Sequence, residues 1–388
     1  MPVPDGAHTR RPRGTPGQAA PRWTVLAMVA LLAACSGGAP TDPAPVPSDP
    51  APVPSSPAPS SPVPSTPVSS SPPPSAASSA PLDLPAPVTC PTPTVRVSTT
   101  DELQQALARA VPGTVVQLAD GTYRGSFTAT ARGTAEAPVF LCGGPGAVLD
   151  GGGFEEGYVL HLDGAAYWRV VGITIRNGQK GVMADAAQHV VLQGLTVEST
   201  GDEAVHLRRG SSDNVVRDST VRDTGHRRDT FGEGIYVGTA TSNWCSISAC
   251  EPDASDRNLV LDNTVSATTA ESVDLKEGTS DGVVAGNTFD GAALTGADSW
   301  LDAKGNDWLV SGNVGAHSPA DGFQTHEVAE GWGRRTTFDG NRGSDLAVDD
   351  PEGVLIGLHP DRAAVVRCTN EVSDGSAPVT NLSSTACR

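Results

Sequence analysis

From Trp168 onward, short apolar stretches alternate with small or polar residues at a recurring spacing. Each repeat contains a short β-rich segment, a small turn residue or Asn, a second short strand and a polar loop. When the turn positions are taken as equivalent, most lie 22 to 29 residues apart: Gly172, Gly194, Ser219, Asn263, Asn287, Asn313, Asn341 and Asn370. A period in this range, with the chemistry of strands, predicts stacked coils. We therefore expect an all-β fold, a single right-handed parallel β-helix.

The recurrent asparagines are interpreted as structural residues. Side-chain amides at equivalent turns of successive coils can hydrogen-bond along the stack, and Asn also tolerates the left-handed turn conformation. The gap of 44 residues between Ser219 and Asn263 predicts one coil that carries an insertion, at residues 239–257.

A short helix is predicted at the start of the repeats. Thr99 and Glu102 have capping-box spacing, and apolar residues follow at the helical period, namely Leu103, Ala106, Leu107 and Ala110. Such a helix would close the N-terminal end of the coil stack.

Residues 112–123 then predict a strand that ends in a turn. Together with the helix, this stretch resembles the opening of the pectate-lyase-like β-helix superfamily, whose members often have a helix, Pro-Gly, a strand and Asp-Gly-x-Tyr. The resemblance covers about residues 95–364 and implies the parallel β-helix fold.

The first 88 residues have a different composition. Residues 1–22 contain four arginines, and the apolar run at residues 23–34 is too short to span a bilayer comfortably. This pattern predicts a signal peptide at residues 1–35. Its end, Leu-Ala-Ala-Cys, resembles a bacterial lipobox and implies lipidation of Cys35. The alternative is an ordinary secretory signal that ends near a cysteine.

Residues 36–88 are almost entirely Pro, Ala, Ser and Val, which predicts a disordered linker before a β-helix domain at residues 89–388. A Pro-rich chain extends by about 3.1 Å per residue, so this linker could hold the domain on the order of 100 Å from the membrane. A linker without a length requirement is the alternative. We expect a monomer at the extracellular face of a bacterial membrane, held by its lipid anchor alone and reaching into the cell wall.

Composition and charge narrow the class of partner. The chain has 43 Gly, 33 Pro and only 4% aromatic residues, which suits a long β architecture with many turns. Its formal net charge of −18 argues against nucleic-acid binding, which needs clustered Lys and Arg. A neutral partner, or an acidic one attracted by a local patch, is expected.

Six cysteines remain beside Cys35, and in an exported chain they fit three disulfides better than a metal site. Cys245 and Cys250 are expected to close a small loop, and Cys368 and Cys387 to fix the C-terminal tail. Cys90 and Cys142 are left as the third pair, although six cysteines allow fifteen connectivities.

The second strand of each coil predicts a register with alternate residues inward. The expected core pairs are Val182/Ala184, Val205/Leu207, Ile235/Val237, Val273/Leu275, Leu301/Ala303 and Phe323/Thr325. The outward set is His206, Arg208, Tyr236, Asp274, Lys276, Asp302, Lys304, Gln324 and His326. Because neighbouring coils lie about 4.8 Å apart, these side chains form one contiguous strip.

Such a strip suits β-elimination on a uronic-acid polysaccharide, which needs a base for the C5 proton and positive charge at the C6 carboxylate. Lys276 is the expected base, because a second cation such as Lys304 would favour its neutral form. Arg208 or Lys304 could hold the carboxylate, and Tyr236, His206 or His326 could protonate the leaving oxygen. Calcium is the expected cofactor, since it prefers carboxylate oxygens; the predicted ligands are Asp274, Asp302, Glu271 and Glu233.

A narrower resemblance concerns the same lysine. Val-Asp-Leu-Lys-Glu-Gly at residues 273–278, followed by Gly-Asn-Thr-Phe at 286–289, looks like the lysine-bearing stretch of the chondroitinase-B/alginate-lyase family. In that family the lysine is the base, which implies this role for Lys276. The family's partner arginine would be expected one coil later, where this chain has Leu-Asp-Ala-Lys-Gly instead.

Three alternatives to a lyase remain open at the level of sequence. Asp274, Lys276, Asp302 and Lys304 could merely neutralise one another as a cross-strand ion-pair ladder. Asp274 and Asp302 could be the carboxylate pair of a glycoside hydrolase. The strip could also bind a wall glycan without catalysis. His359 lies beyond the clustered face and is left out of the predicted site.

Overall fold

The computed structural model describes residues 84–155, 157–382 and 387. The predicted signal peptide, Cys35 and nearly all of the predicted linker lie outside these residues. No helix in the described part of the chain is long and apolar enough to cross a membrane.

The chain folds into a right-handed parallel β-helix, as predicted. Each complete coil gives one strand to each of three parallel sheets, so the predicted first segment of a coil is in fact two strands joined by a bend. The first sheet contains β1 (Val95–Val97), β2 (Val115–Leu118), β5 (Val139–Cys142), β8 (Trp168–Val171), β11 (Val191–Gln193), β14 (Val215–Arg217), β17 (Leu259–Leu261), β20 (Val283–Ala285), β23 (Leu309–Ser311), β26 (Thr337–Asp339) and β29 (Val365–Val366).

The second sheet contains β3 (Gly121–Arg124), β6 (Ala147–Asp150), β9 (Thr174–Arg176), β12 (Thr196–Glu198), β15 (Thr220–Arg222), β18 (Thr264–Ser266), β21 (Thr288–Asp290), β24 (Val314–Ala316), β27 (Arg342–Ser344) and β30 (Glu371–Val372). The third sheet contains β4 (Phe127–Ala129), β7 (Tyr158–Asp163), β10 (Lys180–Asp185), β13 (Val205–Arg208), β16 (Ile235–Val237), β19 (Val273–Leu275), β22 (Ser299–Ala303), β25 (Asp321–His326) and β28 (Ile356–His359).

Helical structure is confined to short segments: α1 (Thr100–Ala108), α2 (Trp244–Ile247) and two single 3₁₀ turns at Asp229–Phe231 and Thr241–Asn243. The predicted capping helix is α1. The Thr99 side chain accepts a hydrogen bond from the Glu102 amide, and the Glu102 carboxylate accepts one from the Thr99 amide. Leu103, Ala106 and Leu107 are buried against the end of the stack.

The core runs through the middle of the stack, between the three sheets. All six predicted inward pairs are buried, and all but Thr325 belong to one hydrophobic cluster. Trp168 and Trp300 are also buried there, and each indole N–H donates to a backbone carbonyl. Burial of alternate apolar residues on every coil fixes the register, because a slip of one residue would turn each core side chain outward.

The predicted asparagine ladder is present, with a shift of one residue at its start. Asn263, Asn287, Asn313 and Asn341 each donate their own backbone N–H to the side-chain oxygen of the next asparagine in the series, which ends at Asn370. Their amide groups donate along the same series.

Leu195, rather than the predicted Gly194, precedes Ser219 in this series, since the Leu195 amide donates to the Ser219 hydroxyl. Gly194 pairs one position earlier with Asp218, and both have positive φ angles of 62° and 49°. The left-handed turn is therefore made by the residue before the ladder position, and the asparagines are free to serve as hydrogen-bond residues.

The cysteine pairs are those expected: Cys90–Cys142, Cys245–Cys250 and Cys368–Cys387. The second pair lies in the predicted insertion, which contains α2. Asp253 anchors the end of this insertion, because its buried carboxylate accepts hydrogen bonds from the amides of Arg209 and Gly210 and from the Thr239 hydroxyl.

Residues 84–88, which were placed in the linker, lie along the outer face of the first sheet. Val88 exchanges two hydrogen bonds with the side-chain amide of Gln193, and Arg217 donates to the Pro85 carbonyl at 2.5 Å. Leu84 packs against the small apolar cluster of Val215, Leu261 and Ala285. The described chain thus contacts the β-helix a few residues before the predicted domain boundary.

Candidate active site

The outer face of the third sheet carries the predicted strip in the predicted register. His206 pairs with Tyr236, Tyr236 with Asp274, and Asp274 with Asp302 on successive strands. The row extends in both directions, to Met183 and His161 on one side and to Gln324 and Gly357 on the other. A second row lies beside the first, beginning with Asp163, Asp185 and Arg208 and ending with His326 and His359. Lys276 and Lys304 belong to this row, one position after the ends of β19 and β22.

Lysine is concentrated at this face. The whole chain has only three lysines, Lys180, Lys276 and Lys304, beside 23 arginines. The ammonium group of each contacts a carboxylate of the outer face or its edge. A general role in surface charge would not require this placement, so the lysines belong to one local arrangement.

Lys276 lies beside both Asp274 and Tyr236. Its Nζ is 2.5 Å from Asp274 Oδ2 and 5.0 Å from the centroid of the Tyr236 ring. The Lys276 side chain is 14% exposed, whereas Asp274 is almost fully buried. The ammonium is therefore held at the surface of the face by a carboxylate beneath it, within reach of the tyrosine.

Lys304 lies in the predicted register, but its side chain is buried. Its Nζ lies 2.8 Å from Asp274, 3.1 Å from Asp302 and 3.6 Å from Glu271. Burial disfavours the ammonium form, but these three carboxylates outweigh it and raise the pKa of Lys304 well above its ordinary value. Lys304 is thus bound to three carboxylates of the protein itself, and its role in holding a substrate carboxylate stays a prediction. Its charge still acts on Lys276, because the two ammonium groups share Asp274.

Both carboxylate oxygens of Asp302 are also bound by neighbouring side chains. Both of its oxygens lie within 3.0 Å of His326 Nδ1, and Oδ2 also contacts Lys304. Burial alone would raise its pKa, but Lys304 and His326 hold it well below the usual range. The ion-pair ladder considered as an alternative thus exists among Asp274, Lys276, Asp302 and Lys304, although it is buried rather than solvated.

Tyr236 and His206 form the aromatic part of the site. Their rings meet edge to face with centroids 4.3 Å apart, and both are buried. Burial, with the nearby carboxylates of Asp274 and Glu233, raises the pKa of Tyr236 well above its ordinary value, so the phenol keeps its proton. Burial lowers the pKa of His206, whose Nε2 lies 2.9 Å from the Gly238 carbonyl.

Arg208 lies at the other side of this pair. Its guanidinium donates from Nε to Asp185 Oδ1 at 2.7 Å and from Nη2 to the Tyr158 hydroxyl at 3.3 Å. His161 contacts the other Asp185 oxygen at 2.9 Å. Between Arg208 and Lys276 the row has Gly238, which has no side chain, and a Cβ there would lie 3.2 Å from the Lys276 Cβ.

The sequence analysis missed His161 and Asp185, although the same register, continued one coil towards the N-terminus, would have found both. It also missed Lys180 with Glu203, and Asp202 with Arg227 and Arg228. Asp202 is completely buried, and both arginines bind it within 2.8 Å. Lys180 is the first residue of β10, whereas the others lie in loops before the strands, where strand alternation predicts nothing.

His359, which was left out, is part of the face. Its ring stacks on that of His326 with centroids 5.0 Å apart and an interplanar angle of 16°. His359 Nε2 lies 2.9 Å from the buried Asp321, much as His326 lies on Asp302. The expectation that His359 lies beyond this face was wrong, because the long loop between these strands hides the repeat.

Three glutamates form a row three residues before the outward positions: Glu203, Glu233 and Glu271. Lys180 contacts Glu203 at one end and Lys304 contacts Glu271 at the other, whereas Glu233 Oε2 is buried without a hydrogen-bond partner among the described residues. Burial and the neighbouring carboxylates raise the pKa of Glu233 well above its ordinary value. Burial and Asp274 raise that of Glu271 to about 7.

The acidic cluster fits a calcium ion only in part. Oxygens of Glu233, Glu271 and Asp274 lie within 4.8 Å of one another, and carboxylate oxygens are calcium ligands. Each Asp274 oxygen, however, contacts an ammonium group, and Asp302 is turned to His326. The predicted four-carboxylate set is therefore not a single site, and Lys304 already supplies positive charge within it.

Two solved structures that resemble this chain in fold are lyases. An alginate lyase from Paenibacillus sp. strain FPU-7 is 35% identical, with a TM-score of 0.69 over 74% of this chain and 97% of that one. A pectate lyase, Pel9A, matches in fold, with 12% identity and a TM-score of 0.53 over 76% of this chain and 81% of that chain. No protein-family model and no curated protein sequence matches.

Proposed function

Because the chain belongs to the family of parallel β-helix polysaccharide lyases that includes the Paenibacillus alginate lyase, we propose that it cleaves a uronic-acid polysaccharide by β-elimination. The observation that carries this proposal is the contact between Lys276 and Tyr236 on adjacent strands. An amine and a phenol at this spacing can serve the two proton transfers that the reaction needs.

Lys276 is the proposed base. It is the most exposed of the three lysines, and Asp274 fixes its position from below. Asp274 shares its charge between Lys276 and Lys304, so it does not hold Lys276 alone. In its neutral form the Lys276 amine would take the C5 proton, which leaves a carbanion stabilised by the adjacent C6 carboxylate.

Tyr236 is the proposed acid. Its raised pKa keeps the phenol protonated at neutral pH, and its hydroxyl makes no hydrogen bond to another described residue. The proton can therefore pass to the glycosidic oxygen as the C4–O bond breaks and the C4–C5 double bond forms. His206 supports the ring by its edge-to-face contact and stays neutral.

Arg208 is the proposed partner of the C6 carboxylate. It is a fixed cation in the row of Lys276, and only Gly238 lies between them in that row. Its side chain is 17% exposed, and Asp185 and Tyr158 orient its guanidinium. Positive charge here would make the C5 proton more acidic by stabilising the charge that develops in the transition state.

A hydrolase that uses Asp274 and Asp302 is less well supported. Neither carboxylate can act as a general acid while Lys304 bridges them and the pKa of Asp302 is held low. A pure glycan binder would not need a buried, unbonded phenol beside a lysine.

We propose calcium only as an accessory ion bound by Glu233 and Glu271, since both proton transfers and the neutralisation of the C6 carboxylate are assigned to side chains. We also propose export with a lipid anchor at Cys35, which would keep the domain at the cell surface.

The test is a panel of uronic-acid and neutral polysaccharides, assayed for unsaturated products by ultraviolet absorbance with and without a chelator. We expect such products from at least one uronan in both conditions, and none from Lys276→Ala. Reducing ends without unsaturation would indicate hydrolysis, and binding without cleavage would indicate a binder. Loss of activity with the chelator would move calcium into the reaction.

A further inference from the structure

Beyond Lys304, the outer face continues into two histidines that the proposed elimination does not use. His326 and His359 pair on adjacent strands, in the row that also holds Lys276. Their side chains are 36% and 42% exposed, in contrast to the covered site beside them. They are the most accessible cationic or potentially cationic groups of that row.

Each ring is held by a buried carboxylate. His326 Nδ1 lies 2.9 Å from Asp302, and His359 Nε2 lies 2.9 Å from Asp321. Asp321 is itself fixed, because it accepts hydrogen bonds from the Val354 amide and the Gln324 side chain. The two rings are thus set in place by the surrounding chain.

One nitrogen of each ring remains unused. His326 Nε2 and His359 Nδ1 have no hydrogen-bond partner among the residues that the structure describes. Two stacked rings with a free nitrogen each present two neighbouring donors when the rings are protonated. Hydrogen bonds from such donors to a carboxylate are charge-assisted and stronger than neutral ones.

We propose that His326 and His359 form a distal subsite that binds the carboxylate of a uronate two to three coils from Lys276. At about 4.8 Å per coil, this is roughly 10 to 14 Å along the axis of the stack. The subsite rests on the proposed function, since it presupposes a polymer of uronates along the third sheet. It would hold the chain at a sugar outside the cleaved bond.

The charges that face the pair are compatible with this role. Asp302 raises the pKa of His326, which favours its protonated form, while Lys304 and burial act against it. Asp298 adds a further negative charge on the same side, and Asp321 faces His359. The paired carboxylates lie beneath the rings and are bound to them, so the free nitrogens are left for the ligand.

The kinetic test uses uronate oligomers from disaccharide to octasaccharide. For His359→Ala we expect KM to rise about tenfold for the oligomers long enough to reach the subsite, with kcat unchanged. Short oligomers should show no change, and His359→Gln, which keeps a donor, should recover part of the affinity. An equal rise in KM at every length would overturn the proposal.

His317→Ala is the matched control. His317 is 50% exposed and lies 2.9 Å from Asp290, so it has the same kind of contact away from the third sheet. We expect this variant to have wild-type KM for every oligomer. A comparable rise in KM for His317→Ala would also contradict a local subsite.

A binding measurement separates this subsite from the proposed reaction. In the Lys276→Ala background, calorimetry would compare a uronate hexasaccharide with its carboxyl-reduced form, with and without His359→Ala. We expect the histidine to matter only for the carboxylated ligand; an equal loss for both would overturn carboxylate recognition. The absence of unsaturated products from wild type would instead contradict the proposed function. The calorimetric comparison would still test carboxylate binding, because it does not depend on cleavage.

Discussion

Two rows of polar residues run along the same stack of coils and are built in opposite ways. The asparagine ladder repeats one residue type at one position, and every amide bonds to the next coil. The outer face of the third sheet changes residue at every coil, from His206 to Tyr236 to Asp274 to Asp302. Both rows are largely buried, so burial alone does not distinguish them.

What distinguishes the two rows is how completely their polar atoms are paired. The ladder satisfies its own donors and acceptors, which is what a structural row requires. The outer face leaves the Tyr236 phenol, with Lys276 beside its ring, without a hydrogen-bond partner among the described residues, and it leaves a buried Glu233 oxygen unbonded. An unpaired buried group costs stability, and a ligand bound at this face would offset that cost at Glu233.

The largest expected effect is on catalysis, from removal of a single oxygen. Tyr236→Phe should lower kcat by about 10²- to 10⁴-fold, the usual contribution of a general acid. Its thermal midpoint should stay at the wild-type value, because the hydroxyl bonds to no other described residue.

Tyr123→Phe is the matched control for Tyr236→Phe. The buried Tyr123 hydroxyl donates within 3.0 Å of two backbone carbonyls. That variant should lose about 1 kcal/mol of stability and keep its activity. A drop in stability for Tyr236→Phe with little change in kcat would assign Tyr236 to packing.

The second prediction breaks the ladder. Asn313 donates to the Val284 carbonyl and to Asn341, and it accepts from the backbone and side-chain amides of Asn287. Asn313→Ala leaves these buried groups unpaired and should cost about 3 kcal/mol in the free energy of unfolding, with kcat unchanged. Denaturant titration measures the loss.

Asn313→Ser tests the same position more gently, because Ser219 already serves as an acceptor in the ladder. It should cost less than Asn313→Ala. If both variants unfolded at the wild-type denaturant concentration, the ladder would not be a source of stability.

The sequence alone predicted the fold and the register of six strands. In each coil only one of the two alternating sets of side chains is apolar enough to be buried. It placed the ladder correctly from Ser219 onward. It misplaced Gly172 and Gly194 by one residue, since small turn residues and asparagines occupy neighbouring positions and cannot be told apart by spacing.

The sequence could not predict the contacts within the outer face. A lysine at a given register position can extend into solvent or fold back, and only the three surrounding carboxylates decide this for Lys304. His359 was missed because a loop of variable length precedes its strand. Positions follow from the period, whereas ion pairs follow from side-chain conformations and from the loops that cover them.

A third prediction uses the pH dependence of stability. Glu271 has a pKa of about 7 in the folded protein, because burial and Asp274 disfavour its charged form, against an ordinary value of 4.5. Between these values the folded state holds a proton that the unfolded state has lost, so stability should fall as pH rises. Below pH 4.5 both states are protonated and the effect vanishes.

Glu271→Gln removes this ionisation. Relative to wild type, the variant should gain up to about 1.4 kcal/mol per pH unit between pH 4.5 and 7, measured by denaturant unfolding at several pH values. Asp302→Asn should behave oppositely: the lowered pKa of Asp302 gives stability that is present above its ordinary value and lost in acid. A pH-independent difference for Glu271→Gln would show that Glu271 is charged throughout.

The smallest expected effect concerns hydrogen bonds that are exposed, in contrast to the buried hydrogen bonds of the ladder. The capping box of α1 is reciprocal, as the ladder is, but it lies at an exposed end of the stack. When Thr99 is changed to Ala, water can replace the lost partner, so the cost should be about 1 kcal/mol rather than the larger loss at Asn313. Thr99→Ser, which keeps the hydroxyl, should be close to wild type in thermal and denaturant unfolding. Equal costs for Thr99→Ala and Asn313→Ala would mean that the number of hydrogen bonds, and not their burial, sets the stability of these rows.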